Sequence, residues 1–168
     1  MTYQDVVEQF GRETNVDSSP VRDHWQMISL PILGYVPGGQ PGMHEEHVLG
    51  HMEVLKSWPG DQTENWFVLR VTGDSMEPVL PGEQSYVIVD RSRQPRHRDI
   101  VVARAGVFHD VLIKQLIWQY GGPEAILRSF NPDWEDLHVT FDEHIAEDRN
   151  IPLAEIIGVV VAWWVRNS

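Results

Sequence analysis

An all-β domain, either a sandwich or a partly open barrel, is the fold class this sequence predicts, and two features of residues 30–168 predict it. Turn-forming clusters recur along the segment: PGGQPG, SWPGDQ, TGD, LPGE, YGGPE and FNPD. Between them lie short runs rich in Val, Ile, Leu and Trp, the composition of half-buried strands rather than of the helices that βαβ units need.

The elements follow in chain order. Residues 1–29 form an arm, with Val6, Val7 and Phe10 at near-helical spacing, a polar run GRETNVDSSP, and a second short helical piece at VRDHWQMI. The arm is about half the length of a three-helix DNA-binding unit. Nine strand-like runs come next: PILGYV, HVLGHMEV, NWFVLRV, SYVIVD, DIVVARA, DVLIKQLIW, EAILRSF, LHVTF and IIGVVVAWWV. In the last of these, Trp163 and Trp164 point to opposite faces, so at least one covers core or an interface.

Charge and composition narrow the function classes. The net charge is -12, and residues 1–29, 30–74 and 75–168 are each acidic, which argues against unaided nucleic-acid binding. There is no cysteine, hence no disulfide framework and no thiolate chemistry. The longest apolar run, residues 156–165, is shorter than the roughly 18 residues of a membrane helix, and the acidic N-terminus does not read as a signal peptide. A cytoplasmic protein without a membrane partner is expected.

The candidate chemistry begins at Ser75 in VTGDSMEPVLPGEQSYVIVD, on a bend between two apolar strands. A serine there serves either as a turn residue satisfying local backbone groups or as a nucleophile, which requires a base. Histidine is the usual base. His44, His47 and His51 cluster in HEEHVLGH, one residue short of the HExxH zinc spacing, and in a strand His47 and His51 share a face; no metal is expected. His97, His109, His138 and His144 sit in polar, turn-rich contexts. Lys114 is the other candidate. Strand alternation puts Leu112, Lys114 and Leu116 on one face, where burial would favour the neutral amine. The alternative for Lys114 is an edge-strand guard or a side chain reaching to solvent.

GDSMEP, followed by VIVDRS, RDIVVAR and VLIKQL, resembles the LexA/UmuD group of serine-lysine autopeptidases. LPILGYVPGGQP resembles the region holding their self-cleavage site, and HVLGHMEV, LRSFNPDW and IIGVVVAW fit in the same order over residues 30–165. The resemblance implies a LexA/signal-peptidase-like fold over 30–168, with a cleavage-site loop at 34–42 and Gly38–Gly39 as the scissile bond. It implies Ser75 as nucleophile, Lys114 as general base, and the backbone N–H groups of Asp74 and Ser75 as oxyanion donors. Met76 would support the bend, and Leu112 and Leu116 would dry the lysine. No cofactor is implied. The partners implied are a second copy in a homodimer, a RecA filament as trigger, and a repressor or DNA polymerase downstream, in a response to DNA damage or in phage repression. The sequence departs from the family in having Gly38 where alanine or cysteine is usual, and in carrying an arm where LexA-type repressors carry a helix-turn-helix domain; the short arm is closer to UmuD. A non-cleaving dimeric interaction module of the same fold is the alternative function.

Overall fold

The structure is a computed structural model that describes residues 26–37, 44–56, 63–106, 110–119 and 121–166. The elements are β1 (Met27–Pro37), β2 (His44–Leu55), β3 (Trp66–Arg70), β4 (Ser85–Asp90), β5 (Ile100–Ala105), β6 (Asp110–Trp118), β7 (Glu124–Arg128), β8 (Leu137–Thr140), α1 (Glu143–Arg149) and β9 (Ala154–Val165). Each of the nine apolar runs forms one strand. They join in a single open sheet, ordered β2-β1-β3-β4-β9-β5-β6-β7-β8. Neighbours run antiparallel except β1 and β3, which are parallel through Ile32↔Val68 and Leu33↔Leu69. The sheet is therefore mixed, and it does not close into a barrel.

Two differences from the sequence reading concern local structure. Met27 and Ile28, assigned above to a helical piece of the arm, lie in β1 opposite Leu55 and Val54. Pairing with β2 supplies hydrogen bonds that a short isolated helix could not match, so tertiary context overrides the local pattern. Gln26 is not helical either, its O accepting from Lys56 N, and residues 1–25 of the arm lie outside the described residues, as do Gly38 and Gly39. The second difference is α1, which the polar stretch DEHIAEDRN did not announce. Its N-cap Asp142 accepts from His144 N and Ile145 N, and Asn150 closes it in the left-handed region at φ 52°.

Alternation along the strands builds apolar clusters on both faces of the sheet. One cluster contains Leu33, Phe67, Leu69, Val71, Met76, Leu80, Val87, Val89, Val102 and Val160. Another gathers Val101, Ala103, Leu116, Leu127, Val139 and Val159. Bulges bend β9 against both its neighbours: its register slips between Ile88 and Val89 of β4, and between Val102 and Ala103 of β5. Gly158 sits between these slips, where a Cβ would lie 2.6 Å from Val89 Cγ1 and 2.9 Å from Asp90 O. The curvature lets the segment after β3 share a cluster with residues of β5, β6 and β9, although three strands separate β3 from β6 in the sheet order.

At the other edge, the β1–β2 register slips between Ile32 and Leu33, leaving Leu49 as the extra residue. The slip breaks the two-residue alternation between His47 and His51, so the shared face expected of these exposed histidines is not maintained. Among the described residues, no three His, Asp or Glu side chains converge as a metal site, and no helix is long and apolar enough to cross a membrane.

Phe67, only 2% exposed, is among the largest fully enclosed side chains of the first cluster. Phe67→Ala is expected to lower unfolding free energy by about 3–5 kcal/mol, because the lost apolar transfer is compounded by a cavity that β3 and β4 cannot collapse. Urea denaturation followed by tryptophan fluorescence checks this, and a change below about 1 kcal/mol would show that the sheet repacks freely.

Candidate active site

The bend that carries Ser75 is built by residues on either side of it. Val71, directly after β3, is buried, and Gly73 then turns the chain at φ +73°, a conformation that side chains disfavour. Asp74 O accepts from Glu77 N at 3.1 Å, and Met76 O accepts from Leu80 N at 2.9 Å. Met76 and Leu80, four residues apart and at most 1% exposed, pin the turn to the core. Ser75 is left half-buried at its rim. Gly82 closes the base of the loop: a Cβ there would stand 2.1 Å from Gly73 O, so only glycine lets the two limbs touch.

Lys114 sits in an interior strand, which removes the edge-guard reading. It faces Val101 of β5 in register, and β7 lies on the other side of β6. The alternation expected from the sequence holds. Leu112 and Leu116 pack with Lys114's side of the sheet, and Val111 and Ile113 pack against the opposite cluster. Lys114 is 7% exposed, and among the described residues it forms no ion pair. Burial pushes its amine below the usual lysine range, while the more distant carboxylates of Asp136 and Asp74 pull the other way. Its Nζ donates to Ser129 Oγ at 2.8 Å.

A single stretch, Ser129 to Trp134, joins the two candidates. Asn131 N donates to Ser75 O at 3.0 Å, and Asn131 Nδ2 donates to Asp74 O at 3.1 Å. Trp134 Nε1 donates to Asp74 Oδ1 at 2.8 Å, and the same ring lies 5.7 Å from Lys114 Nζ. The backbone of the Ser75 bend is thus held by the stretch whose Ser129 and Trp134 also contact the lysine amine. Ser129, Asn131 and Trp134 were not singled out from the sequence; only the LRSFNPDW stretch that holds them was. Among the described residues, no carbonyl accepts from the N–H of Asp74 or Ser75.

The histidines stand apart from this site. His97 Nδ1 accepts from Trp118 N, and His138 pairs with Glu124 at the surface. The strand pair β1–β2 is nevertheless tied to the apolar face behind the bend. Glu46 of β2 ion-pairs with Arg91, whose guanidinium lies 4.5 Å from the Phe67 ring centroid.

Residues 31–161 match the Peptidase S24-like family, a family of serine peptidases, and the chain belongs to it. It is similar to LexA repressors over the same region. It is 32% identical to that of Shewanella piezotolerans over 112 residues, 67% of this chain and 52% of the relative. The LexA repressor of Vibrio atlanticus is 30% identical over 118 residues, 70% of this chain and 54% of that protein. The chain spans about half the length of these relatives. Family and sheet together establish a LexA/UmuD-type fold.

The buried amine makes stability depend on pH. Lys114's folded-state pKa lies below the ordinary 10.5, so protonation penalises the fold at neutral pH. The penalty fades as pH rises from the folded-state value towards 10.5, because the unfolded chain then holds the proton that the folded one has released. Lys114→Met lacks this term. Its stability relative to wild type is expected to be most favourable at neutral pH and to decline steadily through that window. Paired urea titrations across the range test the sign; a constant gap would mean that Lys114 ionises as it does in the unfolded chain.

Proposed function

We propose that this member of the Peptidase S24-like family is a self-cleaving serine-lysine peptidase that cuts its own Gly38–Gly39 bond and thereby changes what it binds. The observation that carries the reading is the buried Lys114 amine, held by the same short stretch that fixes the Ser75 bend. Desolvation favours the neutral amine, and a neutral amine beside a serine is a base for its hydroxyl proton.

In this reading Lys114 Nζ takes the Ser75 proton as Oγ bonds to the Gly38 carbonyl carbon. The N–H groups of Asp74 and Ser75 hold the oxyanion that forms. Collapse breaks the bond to Gly39, whose nitrogen leaves with the proton from Lys114, and Gly38 remains as an ester on Ser75. Lys114 then deprotonates a water that hydrolyses the ester, which frees the Gly38 carboxylate and restores the Ser75 hydroxyl. Because substrate and site share one chain, effective concentration replaces substrate affinity. The anchored β1–β2 hairpin supports delivery of the loop, and Pro37, Gly38 and Gly39 favour the turn that docking requires.

Similarity to proteins named LexA repressors supports a regulatory role in a DNA-damage response or in phage repression. It extends the proposal to a cytoplasmic homodimer, to a RecA filament as trigger, and to a repressor or DNA polymerase as the partner affected.

Intact mass after incubation at neutral and strongly alkaline pH tests the cut. Two fragments split after Gly38 are expected, with a rate that rises about tenfold per pH unit below the amine's midpoint and levels off above it. Ser75→Ala and Lys114→Ala should abolish the fragments, and persistence of the same cut in Ser75→Ala would sink the assignment. An uncut wild type at every pH, with RecA filaments present, would favour the non-cleaving interaction module.

A further inference from the structure

Strand register places a second hydroxyl at the lysine. Gln115 pairs with Arg128 and Leu116 with Leu127, so one more step of the antiparallel ladder sets Lys114 directly across from Ser129. Both side chains are enclosed, Lys114 at 7% and Ser129 at 8% exposure, and they meet at 2.8 Å. Around the amine, the other groups from adjoining elements are Val101 on β5, Leu112 and Leu116 on β6, and Trp134 in the loop after β7. The charged groups that face it are the carboxylates of Asp74 and Asp136, and Asp136 is itself bound by Arg128. Ser129 therefore provides its one short polar contact among the described residues.

A neutral amine has two hydrogens and one lone pair in a tetrahedral arrangement. With nothing to hold a hydrogen, it rotates freely about Cε–Nζ and points its lone pair at a given hydroxyl only part of the time. We propose that Ser129 is a positioning residue for Lys114: by accepting one amine hydrogen it fixes this rotation and leaves the lone pair for the Ser75 hydroxyl. The assignment rests on the serine-lysine reading above. In this role Ser129 acts through Lys114. Two residues further on, Asn131 holds the Ser75 carbonyl, so one rigid segment sets both partners of the proton transfer.

Removing the acceptor has two separable effects. The amine loses orientation, so the rate plateau at high pH falls. The protonated amine also loses its acceptor, so the midpoint moves to lower pH. Ser129→Ala is therefore expected to cut about ten- to a hundredfold more slowly on the plateau, with its midpoint displaced downward. Ser129→Thr, which keeps a hydroxyl, should recover both. Loss of packing alone would lower thermal stability and rate without moving the midpoint. Should Ser129→Ala not fold, Ser129→Cys retains the shape with a poorer acceptor.

A second measurement is independent of cutting. The chain has two lysines, Lys56 and Lys114, so in a Ser75→Ala, Lys56→Arg background the remaining side-chain amine can be titrated directly by NMR. Adding Ser129→Ala should lower the titration midpoint of Lys114. An unchanged midpoint in a folded variant, or an unchanged plateau beside active wild type, overturns the role of Ser129. Continued cutting by Ser75→Ala or Lys114→Ala would instead overturn the dyad and leave the NMR result to judge the contact alone.

Discussion

Enclosing a lysine amine in an apolar strand is the constraint around which this molecule is arranged. A bare ammonium removed from water costs several kcal/mol, far more than one hydrogen bond returns. Among the described residues no carboxylate pairs with Lys114, and the proposed role as a base requires this, because an adjacent carboxylate would hold the proton on the amine. The protein surrounds the side chain with Val101, Leu112 and Leu116, offers Ser129 as a neutral acceptor, and keeps Asp74 and Asp136 at a distance. Asp74 is itself occupied by the Trp134 indole N–H, and Asp136 by Arg128. The acidic groups are satisfied elsewhere, so the lysine remains unpaired at low cost to its neighbours.

The constraint reaches into the sheet. Lys114 must be interior to be dry, so β6 needs partners on both sides, and β5 and β7 provide them. Ser75, the proposed nucleophile, lies half-buried on the connection between β3 and β4. The two residues lie in separate parts of the sheet order, and the stretch from Ser129 to Trp134 contacts both. The two slips in β9 and the glycine between them bend the sheet between β4 and β5. Asn131 and Trp134 then lock the bend against the strand pair that carries the lysine.

Much of this was legible in the residues because it depends on local signals. Turn clusters delimited the nine runs that became nine strands, and alternation put Leu112, Lys114 and Leu116 on one face. What escaped depends on pairing. Ser129 meets Lys114 because β6 and β7 pair Gln115 with Arg128, a register that neither segment encodes alone. The early start of β1 likewise depends on Val54 and Leu55 lying opposite. Helix α1 escaped for a different reason: none of its seven residues is buried, so it has no apolar stripe, and only Asp142 and Asn150 mark its ends. The shared face expected for His47 and His51 failed because a bulge at Leu49 shifts the alternation, and bulges leave little trace in composition.

The pairing of β1 with β2 bears on what a cut at Gly38–Gly39 would accomplish. Eleven residue pairs, from Met27↔Leu55 to Pro37↔His44, hold the two strands together, and Leu30 and Val54 bury side chains in the same cluster. Severing the loop that joins them leaves this ladder intact. The segment up to Gly38 would stay bound until β1 itself detached, and β1 has only two register pairs with β3 on its other side. Cleavage would convert a covalent hairpin into a noncovalent strand complex, in which retention of the arm depends on strand pairing and on competition for the exposed edge. In such a design the peptide bond sets whether release is permitted, and the hydrogen-bonded register of β1 sets how fast it follows.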